Sequence, residues 1–161
     1  VDYLWSPWRY QYLTAPRPFE GCVFCALHAD DHDEENLIVH RGAHNFVVLN
    51  KFPYTSGHLM VVPYIHAAEL LTIPDEAAAE MMTLVRLADG HLRTIYRPEG
   101  MNIGMNIGAS AGAGIAEHIH MHVLPRWHGD ANFMTTIAET RVLPETLDVT
   151  WRRLQTAFAG K

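Results

Sequence analysis

Three histidines stand at alternate positions, His118, His120 and His122, with Ile119, Met121 and Val123 between them and Leu124 after. Alternate residues of a strand share a face, whereas on a helix they step by about 200° and scatter. The spacing therefore predicts a strand with three imidazoles on one side. Metal binding is one use for such a row. Same-face neighbours lie about 6.6 Å apart and the outer pair about 13 Å apart. Zinc holds nitrogen at roughly 2.0–2.1 Å, so a straight strand brings one or two of these rings to an ion, not all three. The other use is nucleophilic attack. Imidazole ionises near pH 6.5, so a large neutral fraction exists at about pH 7. A neighbouring histidine or backbone carbonyl can then fix its tautomer. Attack on phosphorus also needs donors for the phosphate oxygens, and the glycine-rich stretch 108–114 lies just upstream, where backbone N–H groups can turn toward an anion.

Cys22 and Cys25 are the only two cysteines. With two residues between them, they make half a zinc site, a redox pair or two buried thiols. A redox pair should follow a strand and open a helix, and the pattern around them does not suggest it. His28, His32, His40, His44, His91 and His128 have no comparable setting and read as surface or core histidines. His128 lies nearest the row and is the one of these that could reach a substrate there.

These residues need elements to hold them. Short β-rich runs occur at Leu37–His40, Phe46–Leu49 and Leu59–Val62, and two more strands are predicted near 101–107 and 118–124. Between the third and fourth, Pro74 and Asp75 open a helix in which Met81, Leu84, Val85, Ala88, Leu92 and Ile95 recur at helical spacing. Pro98-Glu99-Gly100 ends it, and residues 144–158 read as a closing helix. Strands with segregated helices predict an α+β domain with a mainly antiparallel sheet.

At 161 residues the chain is expected to be one domain, 1–161, with an aromatic N-terminal extension over 1–19. With 48% hydrophobic and 19% charged residues it reads as globular. The formal net charge of −6 argues against nucleic-acid duplexes and anionic membranes as partners, both of which call for a basic footprint. No apolar run approaches the roughly 20 residues that span a bilayer. The aromatic N-terminal stretch lacks the order of a signal peptide, so a cytoplasmic location is expected.

The row His118-Ile119-His120-Met121-His122-Val123-Leu124 resembles the signature of the histidine-triad family. Further matches are Leu49-Asn50-Lys51-Phe52-Pro53, Gly57-His58-Leu59-Met60-Val61-Val62-Pro63 and Asn106-Ile107-Gly108, so the likeness covers roughly residues 20 to 133. It implies that His120 attacks the α-phosphorus and forms a covalent nucleotidyl-histidine. His122 would contact phosphate oxygens, His118 would orient the network, and His58 would pack behind His120. Asn50 matches the ribose contact and Asn106 the amide that reaches phosphate, with Phe46 and Leu49 as walls of the base pocket. Many members carry a Gly-Gln-Ser or Gly-Gln-Thr before the triad. Here the stretch is Ala113-Gly114-Ile115-Ala116-Glu117, which leaves Ser110 as an available hydroxyl outside the matching position.

In zinc-bearing members a cysteine pair joins a later histidine and the first triad histidine. The resemblance thus implies a structural zinc on Cys22, Cys25, His66 and His118, a set with no open position, and no organic cofactor. The segments Leu4–Tyr10, Ala116–His118 and Pro125–Phe133 resemble the bacterial diadenosine tetraphosphate phosphorylase-like and fragile-histidine-triad-like branch. That branch implies a homodimer that splits dinucleoside polyphosphates, with water or inorganic phosphate as acceptor. Phosphoramidate cleavage and nucleotide binding without turnover are the alternatives.

Overall fold

The computed structural model describes residues 21–131 and 143–160. The N-terminal extension and the end of the Pro125–Phe133 segment lie outside the described residues. The elements run α1 (Val23–Ala29), β1 (Ile38–Arg41), β2 (Asn45–Leu49), β3 (Leu59–Pro63), α2 (Asp75–Tyr96), β4 (Gly100–Gly104), β5 (Met121–Arg126) and α3 (Leu147–Ala159). Short 3-10 turns occur at Leu70–Thr72 and Ala109–Ala111. The five strands form one antiparallel sheet in the order β1-β2-β3-β5-β4. This is the α+β class that the sequence pattern predicts.

The central strands β2 and β3 are buried on both faces, whereas the edge strand β4 is largely exposed, and alternation along the strands divides the core in two. Val47, Leu49, Leu59, Val61, Ile119 and Val123 point to one side, where α2 packs with Met81, Leu84, Val85, Ala88 and Leu92. Leu154 and Phe158 of α3 close the same cluster. On the other side Phe46, Val48, Met60 and Val62 meet Phe24 of α1. Because Met60 pairs with His122 across β3 and β5, the histidine row belongs to this α1 side.

The boundaries depart from the sequence expectation at four places, one of them the end of β4 at Gly104 rather than 107. Helix α1 was not legible, since seven residues carry too little periodicity to announce themselves. The closing helix starts at Leu147 rather than 144, after Pro144 and Glu145. Strand β5 starts at Met121 rather than at 118. Its pairing with β3 ends at Val61–Met121, and β3 itself ends at Pro63, which has no N–H to offer a ladder. The Pro63 carbonyl instead meets the His118 ring, and the Ile119 N–H goes to the Ala67 carbonyl. The alternation survives this change, with Ile119, Met121 and Val123 still packed on the α2 side.

Helix α2 keeps the predicted limits. Arg97 adopts a left-handed conformation (φ 48°) and its N–H closes on the Arg93 carbonyl, so the chain turns out of the helix just before Pro98. Gly57 is the position where backbone freedom matters most. Its φ is +80°, and a Cβ there would lie 2.9 Å from the Leu92 Cδ2. This contact holds the 50–58 loop against α2 and sets the entry of His58 into β3.

Candidate active site

His120 is buried at the end of the α1 side, its ring 5.0 Å from that of Phe24 and 4.8 Å from that of His122. Its Nδ1 lies 2.9 Å from the backbone carbonyl of His118. A carbonyl only accepts, so Nδ1 carries the proton and Nε2 keeps its lone pair. Burial pushes the imidazole below its ordinary pKa, partly opposed by the bond to that carbonyl. Neutral, with an unshared pair on Nε2, this side chain is in the form a nucleophile requires.

His58 and His122 form a second arrangement. The Tyr54 N–H donates to His58 Nδ1 at 3.2 Å, which makes that nitrogen an acceptor. In the neutral ring the proton then sits on Nε2 and is donated to His122 Nδ1, 2.9 Å away. His122 in turn carries its proton on Nε2. Burial drives the His122 pKa down to about 4, with neighbouring His120 adding to the effect. Two adjacent neutral imidazoles thus differ in role, His120 offering a lone pair and His122 an N–H donor.

This geometry corrects one expectation. His58 packs on His122, with ring centres 5.1 Å apart, and the nitrogen it meets belongs to His122 rather than His120. The group that fixes His120 is the His118 carbonyl. Asn50 also stands differently. Its Oδ1 accepts the Phe52 N–H at 2.9 Å and its Nδ2 lies 3.3 Å from His58 Nδ1, so the amide belongs to the histidine network. Leu49 faces the α2 core, away from the histidines, because the strand period turns it there. Phe46 is on the histidine side of the sheet but fully buried, stacked on Tyr64 at 5.6 Å.

Asn106 lies two residues beyond Gly104, the partner of His122 in β4, and is partly exposed. Ser110 is exposed on the 3-10 turn. The glycine-rich loop is less of an open cradle than its composition suggests. The N–H groups of Ala111, Gly112 and Ala113 close its own turns on the carbonyls of Gly108 and Ala109. His128 is exposed, and its N–H meets Glu99. Tyr54 joins the site without any signal in the sequence, its ring 4.7 Å from that of His58 and 6.3 Å from that of His122. An aromatic four residues before a site histidine carries no motif of its own.

The remaining histidine of the row turns to the cysteines. The ligand atoms of Cys22, Cys25, His66 and His118 all lie within 4.8 Å of one another. The separations are 3.2 Å for Cys22 Sγ to His118 Nδ1, 3.4 Å for Cys25 Sγ to His66 Nδ1 and 3.6 Å for Cys25 Sγ to His118 Nδ1. A zinc tetrahedron with bonds of about 2.0–2.3 Å has edges of about 3.6 Å. Two thiols and two imidazoles at this spacing fit that ion with no position left over. Cys22 occupies the N-cap position of α1, but no strand precedes it among the described residues.

The chain as a whole has counterparts among known proteins. The model of the HIT domain matches residues 32–129. An AP-4-A phosphorylase of Mycobacterium tuberculosis is 42% identical over 97% of this chain and 84% of its own. The chain belongs to the HIT family. Among solved structures, a zinc-bound histidine triad family protein of Mycobacterium smegmatis superposes with a TM-score of 0.68 at 29% identity. It covers 86% of this chain and 94% of its own. A hypothetical histidine triad nucleotide-binding protein of Sulfolobus tokodaii has the same TM-score at 23% identity, over 86% of this chain and 92% of its own, which is likeness of fold. This HIT chain therefore carries its histidine row and its cysteine–histidine cluster on the family's sheet.

Proposed function

We propose that this HIT protein cleaves dinucleoside polyphosphates through a nucleotidyl-histidine on His120. The observation that carries the proposal is the His120 Nδ1 contact with the His118 carbonyl, which directs the Nε2 lone pair away from the backbone. The 42% identity to an AP-4-A phosphorylase over nearly the whole chain supports the substrate class.

In the first step Nε2 of His120 attacks the α-phosphorus. An N–P bond forms, the P–O bond to the rest of the polyphosphate breaks, and the departing phosphate takes the electron pair. His122, protonated on Nε2, donates to a phosphate oxygen as charge develops. His58 holds that tautomer through its own bond to His122, and Tyr54 and Asn50 hold His58. In the second step an acceptor oxygen attacks the same phosphorus, the P–N bond breaks and its pair returns to Nε2. With inorganic phosphate the product is a nucleoside diphosphate, and with water a monophosphate.

Zinc on Cys22, Cys25, His66 and His118 would supply no reaction chemistry, only a clip between α1 and the residue whose carbonyl orients His120. The protein acts as a homodimer on this reading, as the resemblance implies. Incubation with diadenosine tetraphosphate, with and without inorganic phosphate, tests the function. ADP with ATP marks phosphorolysis and AMP with ATP marks hydrolysis. No turnover under either condition, with the fold intact, refutes the proposal.

A further inference from the structure

A cavity of about 420 Å³ shares the Tyr54 ring with the histidine network and is lined otherwise by residues of α2, of α3 and of the loops before β3, after β5 and before α3. Ligand sites for small molecules span roughly 300–1,000 Å³, so this one has room for a nucleoside. Three aromatic rings, Tyr54, Tyr96 and Trp127, line it together with Asp130, Glu145 and Arg153. Tyr54 is a shared wall, since the same ring lies 4.7 Å from His58 and 6.3 Å from His122. The remaining aromatics are held in place. Tyr96 bonds Glu145 through its hydroxyl and is covered on one side by the Arg153 guanidinium, 5.0 Å from its ring centre. The Trp127 N–H of the backbone goes to Asp130, and its ring meets Tyr96 edge-on at 6.4 Å.

The lining decides what kind of group fits. Two carboxylates against one guanidinium disfavour a phosphate group in the cavity itself. Asp130 is held ionised by Arg126, its pKa down to about 2. A neutral, flat, hydrogen-bonding group suits it better, because bases stack on aromatic side chains and carboxylates accept from amino groups on a base edge. A dinucleoside polyphosphate carries two such groups at opposite ends of its phosphate chain. A substrate whose reacting phosphorus lies at His120 would reach the cavity along Tyr54, the ring common to both places.

We propose that the cavity between Tyr54 and Trp127 is the subsite for the nucleoside of the departing nucleotide, and so the element that selects dinucleoside over mononucleoside polyphosphates. This rests on the reading of His120 as the centre that cleaves such substrates. It assigns Trp127 and Tyr54 a binding role at the end of the substrate that does not become attached to the protein.

Calorimetry on His120→Ala, which cannot turn over, isolates the subsite. The probes are diadenosine tetraphosphate and adenosine 5′-tetraphosphate, which share one nucleoside and the phosphate chain but differ in the second nucleoside. The dinucleotide should bind about 5- to 150-fold tighter, the range of one base stacked on an aromatic ring. Adding Trp127→Ala should erase most of that gap while the adenosine tetraphosphate Kd changes less than about twofold. Trp127→Phe, which keeps a stacking face, should retain most of it and guards against a folding defect. Equal binding of the two probes to His120→Ala, or a gap that survives Trp127→Ala, overturns the subsite alone. Failure of both probes to bind overturns the underlying reading of the site as well.

Discussion

His118 holds two positions at once. Its ring reaches Cys22 and Cys25 through Nδ1 and the Pro63 carbonyl through Nε2, while its own carbonyl accepts a hydrogen bond from His120 Nδ1. The pKa of His118 is pushed down by burial, so the ring stays neutral, as a metal ligand requires. Asn50 shows why residue roles were only partly legible. The family resemblance implies a ribose contact, yet both polar atoms are engaged with Phe52 and His58. Asn50→Ala is therefore expected to lower kcat as well as raise KM, because it loosens His58 and through it His122. Steady-state kinetics separates the two constants, and an unchanged kcat would leave Asn50 with a substrate contact only. His122 supplies a pH test. Its folded pKa of about 4 lies below the unfolded value of about 6.5, so the unfolded chain binds more protons between them. Stability should fall as pH drops from about 6.5 toward 4. His122→Asn should flatten that slope in thermal melts across the window, and an unchanged slope would show that His122 does not contribute to it.

At the scale of elements, the strands and the long helix were readable because each buries a periodic face. Val47, Leu49, Leu59 and Val61 follow the strand period, and Met81, Leu84, Val85 and Ala88 follow the helix period. What was not readable depends on contacts distant in sequence. His118 and His120 lie outside the ladder because β3 ends at Pro63, 57 positions before His120, and no local pattern reports that. The same holds for the partner of His58, which the sequence motif could place near the triad but not against a particular ring. The loop before β3 is the element on which this partner depends. Gly57 has positive φ and lies against Leu92, Tyr96 and Pro125. Gly57→Ala combines a left-handed penalty of about 1–2 kcal/mol with crowding of about 1–3 kcal/mol. A lower melting temperature and a reduced kcat should appear together, since the loop carries Tyr54 into contact with His58. A variant with wild-type stability would show that the loop yields easily there.

Across the whole molecule, two clusters on one face of the sheet are joined by five residues of chain. The cysteine–histidine cluster ties α1 and the segment after β3 to the start of the histidine row. Zinc binding there should raise stability without entering the reaction. Burial and the neighbouring Cys22 raise the Cys25 thiol pKa in the absence of metal, so binding must release protons and should weaken as pH falls. Elemental analysis should find close to one zinc per chain. Cys22→Ser should reduce both zinc content and melting temperature, whereas a metal-free protein of full stability would argue against the clip. The nucleophile itself can be tested without regard to stability. Protein mixed with diadenosine tetraphosphate labelled at the α-phosphorus, then denatured at alkaline pH before the acceptor can act, should retain label on the peptide that contains His120. His120→Ala should retain none. Label that persists in His120→Ala, or turnover without any labelled protein under single-turnover conditions, would contradict a covalent nucleotidyl-histidine at His120.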